Sequence, residues 1–326
     1  MKRFLRLLAL AGLPWLNMAA LAQTPEQWPT KPVRILHGFT GGGPVDAMAR
    51  LMAVRFTERF GQQAIVEGKP GAGGTVGAAL AARSDADGYT LFLMASGHAS
   101  SPGFYPSLTY DPVNDFAMAS MIARTPFVIL AGPSATVNTL QELMHAAKAS
   151  PGKINYGSGG VGSGMHLVAE LLQSRGGITL THIPYKGGNA PPLALMSGEV
   201  PIIFSSLAGS TGFIASGKTK ALVVTSRERN AALPNVPTVA ETLQLPDFDV
   251  IAWYALAAPK NLPVAILTRL NEMVRESLKR PDTLKVLNAQ TADPWPTSSR
   301  EAQDFLALDV ARWTKLIREQ KISAPN

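Results

Sequence analysis

Hydrophobic and polar positions change their period several times along the first third of the chain. Short apolar runs bounded by turn residues predict buried strands, and these runs lie at residues 33–36, 64–67 and 89–94. Apolar residues at helical spacing predict a helix over residues 45–60, which Gly61 would end. An Ala-rich helix ending near Arg83 follows the second strand. This alternation of strand and helix predicts a parallel sheet with helices on both faces.

The same alternation returns in the second half, after a stretch with a looser pattern. Residues 116–133 read as extended segments interrupted by Pro126 and Pro133, which predicts a crossing between two lobes. Beyond it we expect a strand at residues 153–156 and a helix at 165–175. Further strands are predicted at residues 182–185, 202–205, 220–225 and 250–257. Two amphipathic helices, at residues 264–279 and 300–320, complete the predicted fold.

One device occurs in both halves: a glycine-rich turn that leads from a strand into a helix. The first glycine loop spans residues 38–44 and the second glycine loop spans residues 157–164. Unpaired N–H groups at a helix start carry the positive end of the helix dipole, and glycine lets a ligand approach them closely. Such loops lie at the carboxyl ends of parallel strands, where open sheets bind ligands. Two of them facing each other would form a cleft suited to a carboxylate. For either loop alone, a purely structural role in a tight turn is an equal alternative.

The first residues predict an export signal. Lys2, Arg3 and Arg6 precede a short run of mostly Leu and Ala, and residues 20–22 have the small-x-small pattern of a signal-peptidase site. We therefore expect cleavage before Gln23 and a periplasmic protein. The remaining length favours two domains, which we place as a first part of lobe one at residues 23–123, lobe two at 124–250, and a return to lobe one at 251–326.

Charge and composition reduce the classes of ligand and partner that the protein is expected to bind. Removal of the signal takes away three basic residues and lowers the formal net charge from +7 to +4. Basic residues do not cluster with aromatic ones, so we expect no nucleic-acid partner, while a mild positive balance favours an anionic ligand. The chain has no cysteine, which excludes disulfides and a thiol nucleophile.

Three motifs match those of enzymes, but each lacks the sequence context that the enzyme's chemistry requires. Residues 157–162 match G-x-G-x-x-G, but no acidic residue follows about twenty positions later, as a dinucleotide site requires. Residues 212–219 match the P-loop, yet a helix pattern precedes the match and a strand follows it, which reverses the required order. No serine has the G-x-S-x-G context of a hydrolase, and the histidines give no zinc motif. We therefore predict no catalytic residue, no metal and no cofactor.

These residues resemble a known family, the Bug or TctC-like binding proteins of tripartite tricarboxylate transporters. The resemblance begins with Pro-Val-Arg-Ile-Leu at residues 32–36 and the three glycines before Asp46. It continues, in order, at residues 66–67, 70–74, 87–91, 110–112, 151–158, 162–167, 182–187, 221–225 and 233–238. Nearly all of the chain after the export signal is covered.

The resemblance implies a type II periplasmic-binding-protein fold, with two α/β lobes that each contain a mostly parallel sheet flanked by helices. It implies that a carboxylate is held between the glycine loops by backbone amides and hydroxyls. Lobe one would contribute Phe39, Thr40, Gly41, Gly42 and Ser96. Lobe two would contribute Ser158, Gly159, Gly160, Val161, Gly162, Ser163 and Ser205. Asp46, in contrast, is expected to cap its helix, because a carboxylate facing an anionic ligand would repel it.

Three departures from the family pattern affect these expectations. His37 and Gly38 stand where relatives often have an apolar residue and proline, and Gly68 and Lys69 replace the usual Asn-Arg before Pro70. Pro201 stands where relatives usually have aspartate. The sequence does not identify the carboxylate.

Three functions remain open at this stage. The first is a monomeric receptor that delivers its ligand to the membrane components of a tripartite tricarboxylate transporter. The second is an exported α/β enzyme such as a hydrolase, and the third is a ligand sensor that docks on a membrane signalling protein. The missing nucleophile and acid–base groups count against the enzyme.

Overall fold

The strands form the framework of the computed structural model, which describes residues 28–187, 189–319 and 322. The predicted export signal lies outside these residues. Within them the strands are β1 (Val33–His37), β2 (Ala64–Gly68), β3 (Thr90–Ala95), β4 (Phe116–Ala131), β5 (Asn155–Ser158), β6 (Thr181–Pro184), β7 (Ile202–Ser206), β8 (Lys220–Val224), β9 (Ile251–Pro259) and β10 (Asp293–Pro294).

Helices connect and cover these strands. They are α1 (Pro44–Phe60), α2 (Thr75–Ala82), α3 (Gly97–Phe104), α4 (Leu140–Ala149), α5 (Gly164–Gly176), α6 (Ala190–Ser197), α7 (Thr211–Ala215), α8 (Val239–Leu243), α9 (Val264–Ser277), α10 (Pro281–Ala289) and α11 (Ser299–Glu319). Short 3-10 turns precede α2 and α7, at Ala72–Gly74 and Leu207–Gly209.

The sheet of lobe one has the strand order β2-β1-β3-β9-β4. Strands β2, β1 and β3 are parallel, as the alternating pattern predicts. Strand β9 lies between β3 and β4 and is antiparallel to both. The short β10 pairs with β4 as well.

The sheet of lobe two is built in the same way. Strands β7, β5 and β6 are parallel to one another. Strand β4 runs antiparallel to β7 and β8. It changes sheets in its middle: Pro126 pairs with Ile251 of β9, and the next residue, Phe127, pairs with Ser206 of β7.

The predicted mostly parallel sheets therefore hold for three strands in each lobe, and the shared strands add antiparallel pairs. The physical reason is connectivity, because β4 and β9 lie where the chain passes between the lobes rather than after a crossover helix. The architecture is the two-lobed α/β fold of periplasmic binding proteins.

Local sequence signals place the two helices that face the cleft. Helix α1 begins with Pro44 at its first position and ends at Gly61, whose φ of 72° suits glycine. Its predicted apolar face is buried, with Met48, Met52 and Phe56 fully covered. Helix α5 is capped by Ser163, whose hydroxyl accepts the N–H of His166 at 3.3 Å. Both helix starts are thereby fixed at the ends of buried strands.

Candidate functional site

A cleft lies between the lobes, where both glycine loops meet. From lobe one it is lined by Phe39, Thr40, Pro44, Val45, Ser96 and Tyr254, among others. From lobe two it is lined by Phe127, Gly159, Ser163, Gly164, Met165 and Ser206, with Gly187 beside them. The sheet strands supply Ala95, Phe127, Ser206, Ala252 and Tyr254, and the remaining residues come from the loops and helix starts.

Among the residues that the structure describes, those lining the cleft include no charged side chain. Its polar side chains are the hydroxyls of Thr40, Ser96, Ser163, Ser206 and Tyr254. Burial raises the pKa of Tyr254 to about 12, so its phenol remains a neutral hydrogen-bond donor at ordinary pH. An anion in this cleft would therefore be held by hydroxyl and backbone dipoles.

Several N–H groups of the second glycine loop are used within the loop itself. Gly160 donates to the Ser158 hydroxyl at 3.1 Å, and Gly162 donates to His166 Nδ1 at 3.1 Å. Gly164 and Met165 differ, because they occupy the first turn of α5 and have no partner within the helix. Both residues line the cleft. They therefore bring the N–H groups of a helix start to the cleft, where an anion is favoured.

The first glycine loop has a carboxylate of its own. Asp46 Oδ2 accepts the N–H of Gly42 at 3.0 Å and Arg50 Nε at 2.8 Å. Burial by itself raises the pKa of Asp46, but these hydrogen bonds outweigh it, so the net pKa is lowered. The helix N-cap is Gly43, and Asp46 braces the loop from the first turn. Asp46 is absent from the cleft lining, but the expected capping role is wrong, because its carboxylate accepts the N–H of Gly42 ahead of the helix and no side chain caps α1.

The twelve residues predicted from the sequence fall into three groups. Lining the cleft are Phe39, Thr40, Ser96, Gly159 and Ser163. An adjoining groove, which shares Phe39 and Gly159 with the cleft, is lined by Gly160 and Val161. Gly41, Gly42, Ser158, Gly162 and Ser205 line neither. Ser158 is fully buried, and Gly42 and Gly162 direct their N–H groups at Asp46 and His166.

Sequence reasoning missed lining residues of two kinds. Gly164 and Met165 lie just beyond the selected loop residues, and the predicted helix start was a signal that could have found them. Phe127 and Tyr254 come from β4 and β9, whose register is not visible in the sequence. A spacing of four residues between His166 and Glu170 was also overlooked, and the structure places His166 Nε2 3.6 Å from Glu170 Oε1.

One contact superficially suggests a hydrolase. Ser158 Oγ lies 2.6 Å from His182 Nε2, as in a nucleophile–base pair. Ser158 is fully buried, however, and His182 Nδ1 has no hydrogen-bond partner among the described residues. A catalytic serine needs access to substrate, and its histidine needs an orienting group. The contact is therefore structural.

The other enzyme-like features also lack their structural context. Around residues 212–219 the helix α7 comes first and the strand β8 follows, so the P-loop order is reversed as predicted. Within the described ranges no three His, Cys, Asp or Glu side chains are grouped to hold a metal ion. None of the described helices combines the length and apolarity needed to cross a bilayer.

Comparison with known proteins shows the same architecture. BugT of Bordetella pertussis is 33% identical over 318 residues, which cover 96% of this chain and 97% of BugT. R. palustris Rpa4515, solved with adipate, is 32% identical with a TM-score of 0.86, covering 92% of this chain and 100% of that one. MatC from Rhodopseudomonas palustris, solved with malate, is 28% identical with a TM-score of 0.84, covering 89% and 100%.

The family match is equally extensive. Residues 48–322 match the TctC family, described as "Tripartite tricarboxylate transporter family receptor". This chain therefore belongs to the tripartite tricarboxylate transporter receptor family, whose members are binding proteins and not enzymes.

Proposed function

We propose that this protein is a periplasmic receptor that holds a small di- or tricarboxylate, or a related organic acid, between its two lobes. The observation that carries the proposal is the uncharged cleft floor, where the N–H groups of Gly164 and Met165 lie beside serine hydroxyls. Charge-assisted hydrogen bonds to such donors are about twice as strong as neutral ones. A carboxylate is the anion that suits this arrangement and the family.

Relatives support the chemical class of the ligand. Rpa4515 is solved with adipate and MatC with malate, and both cover almost all of this chain. We propose that one carboxylate of such a ligand contacts the start of α5, with Ser96 and Ser163 as hydroxyl partners. Phe39, Thr40 and Gly159 would contact the rest of the ligand. Gly160 and Val161, in the adjoining groove, would contact it only if it is long enough to pass Phe39.

Transport is the second part of the proposal. A monomeric receptor would close residues 23–123 and 251–326, as one lobe, against residues 124–250, and would then dock on the membrane components of the transporter. Family membership supports this delivery step.

Export is the third part, and it rests on the sequence pattern of residues 1–22. N-terminal sequencing of the protein recovered from the periplasm should give Gln23 as the first residue. Recovery of the uncleaved chain in the cytoplasmic fraction would contradict it.

Thermal-shift screening against a carboxylate panel that includes adipate and malate tests the binding proposal. A ligand at 100 times its Kd adds about 2.7 kcal/mol of stability, which such a screen detects. The site is then tested at Gly164 with a matched pair of substitutions. Gly164→Ala and Gly164→Pro both add a Cβ, which would lie 2.8 Å from Phe127 Cζ and 2.9 Å from Ser96 Oγ. Only proline also removes the N–H.

Proline is compatible with the backbone at this position. It is favoured at the first helical residue, and the preceding Ser163 has ψ 158°, which a following proline allows. We expect Gly164→Pro to bind at least about tenfold more weakly than Gly164→Ala by calorimetry, since a hydrogen bond to a charged group is lost. Equal affinities of the two variants would show that this N–H does not hold the ligand.

A further inference from the structure

A buried histidine lies behind each glycine loop, and the two are arranged alike. His37, the last residue of β1, accepts the N–H of Phe39 through Nδ1 at 3.4 Å. His166, in the first turn of α5, accepts the N–H of Gly162 through Nδ1 at 3.1 Å. Both side chains are shielded from solvent, with residue exposures of 0%. Neither ring lines the cleft, so each can act only through its loop.

Each ring also faces a carboxylate on the helix that follows its loop. His37 Nε2 lies 3.4 Å from Asp46 Oδ1, and His166 Nε2 lies 3.6 Å from Glu170 Oε1. Neither contact is a hydrogen bond, so each is an electrostatic contact only. An Nδ1 that accepts an N–H has no proton of its own, so a neutral ring carries its proton on Nε2, toward the carboxylate. The same tautomer follows in both lobes.

Groups next to each histidine make further contacts with the same glycine loop. In lobe one, Asp46 accepts the N–H of Gly42, so His37 and Asp46 together hold both ends of the first glycine loop. In lobe two, the ring of His166 stacks on that of His182 at 4.3 Å. His182 in turn contacts Ser158, whose hydroxyl accepts the N–H of Gly160.

We propose that His37 and His166 are positioning residues, one in each lobe, which as neutral acceptors fix the glycine loops in the shape that receives the ligand. The expected effect of loop shape on ligand affinity rests on the proposed carboxylate-binding function. A proton on Nδ1 would place a donor against the loop N–H and would push the loop out of this shape.

The charges around each ring favour the neutral form. Burial lowers the pKa of His37 and outweighs the opposing Asp46, while Arg50 lowers it further. On β2 the residue beside the ring is Gly68, which has no side chain. Burial and the adjacent His182 lower the pKa of His166 to about 3, despite Glu170 nearby. Helix α3 packs the ring of Phe104 against it. Both rings therefore stay neutral near pH 7.

Two substitutions at His166, one that removes the acceptor and one that removes the ring, test the inference. His166→Phe keeps a ring between Phe104 and His182 but has no acceptor for the N–H of Gly162. His166→Asn places an amide oxygen near the position of Nδ1 but leaves the rest of the ring volume empty. We expect the Phe variant to lose less Tm than the Asn variant and yet to bind adipate or malate about tenfold more weakly. The Asn variant should lose Tm through the cavity and keep its affinity within about threefold.

The same pair at His37 should behave in the same way through the N–H of Phe39. If affinity simply follows Tm across the four variants, the histidines serve only folding and the inference is overturned. Affinity of the wild type should be level between pH 8 and 7, where both rings and both ligand carboxylates keep one charge state. A rise toward pH 7 would show that a charged imidazolium attracts the ligand, which also overturns the inference.

A second measurement needs no ligand. Long-range ¹H–¹⁵N correlation spectra should show both rings neutral with the proton on Nε2, and a proton on Nδ1 of either ring would contradict the inference. The amide of Gly162 should exchange faster with solvent in His166→Phe than in His166→Asn. A wild type that binds no carboxylate would overturn the proposed function, and the exchange rates would still decide whether the histidines brace the loops.

Discussion

At the scale of single residues, the end of α1 shows how backbone conformation selects glycine. Gly61 has φ 72°, and nothing lies within 4 Å of the place where a Cβ would be. Gly61→Ala would therefore meet only the penalty of the left-handed backbone, roughly 1–2 kcal/mol, partly offset by a less flexible unfolded chain. We expect urea unfolding to show a loss of about 1 kcal/mol.

Gly212 supplies the matched control. It lies in α7, its surroundings are equally open, and its φ is not left-handed. Gly212→Ala should leave stability unchanged or raise it by up to about 1 kcal/mol. Similar losses in both variants would mean that φ is not the cause.

Single residues also show which parts of the candidate site can be predicted from the sequence. The first glycine loop and Ser163 were predictable because glycine runs and helix caps are local signals. The choice of Ser205 was less secure, because the neighbouring Ser206 has its side chain on the opposite face of β7, and only Ser206 lines the cleft. Which of two adjacent serines faces a cleft depends on strand orientation, and no local pattern encodes it.

At the scale of elements, strongly periodic segments were predicted within two residues of their observed ends. Examples are α1, α5, α9 and α11, whose apolar spacing and end signals agree. Helix α3 was not predicted, because Gly97, Ser100, Ser101 and Pro102 are poor helix formers. Its position is determined by tertiary contacts, chiefly with α11, which local propensity does not reveal.

Strand β4 was predicted only as loosely extended segments, since Pro126 and Pro133 interrupt its pattern. The structure shows that Pro126 is the last residue of β4 paired with β9, where the strand passes into the other sheet. The missing N–H of proline therefore falls at the end of one ladder and not inside it. The crossing itself was readable from the sequence, whereas the continuity of the strand was not.

At the scale of the whole molecule, hydrogen bonds join the lobes around the cleft. Tyr105 Oη donates to the carbonyl of Val161 at 2.8 Å, and Thr40 donates to the carbonyl of Lys186. Tyr105→Phe should weaken the closed arrangement, since this bond exists only when the lobes meet. We expect the bound ligand to dissociate about 2–10 times faster in stopped-flow measurements.

Tyr185→Phe is the control for that prediction. Its phenol donates to Glu199 at 2.6 Å, and both residues belong to lobe two. Dissociation from this variant should match the wild type. If Tyr105→Phe also matches the wild type, the bond to Val161 does not contribute to holding the lobes together.

The position of β9 between β3 and β4 determines the order in which the molecule can fold. A chain synthesised as far as residue 250 contains every strand of lobe two, but β3 and β4 of lobe one still lack the strand that joins them. Lobe two can assemble its sheet first, whereas the sheet of lobe one is complete only after β9, in the last quarter of the polypeptide, has been made. Pairings this distant along the chain form slowly. Under the export proposed above, the segment that directly follows residues 1–22 would therefore be the one that stays unfolded longest, because its sheet is completed only by β9.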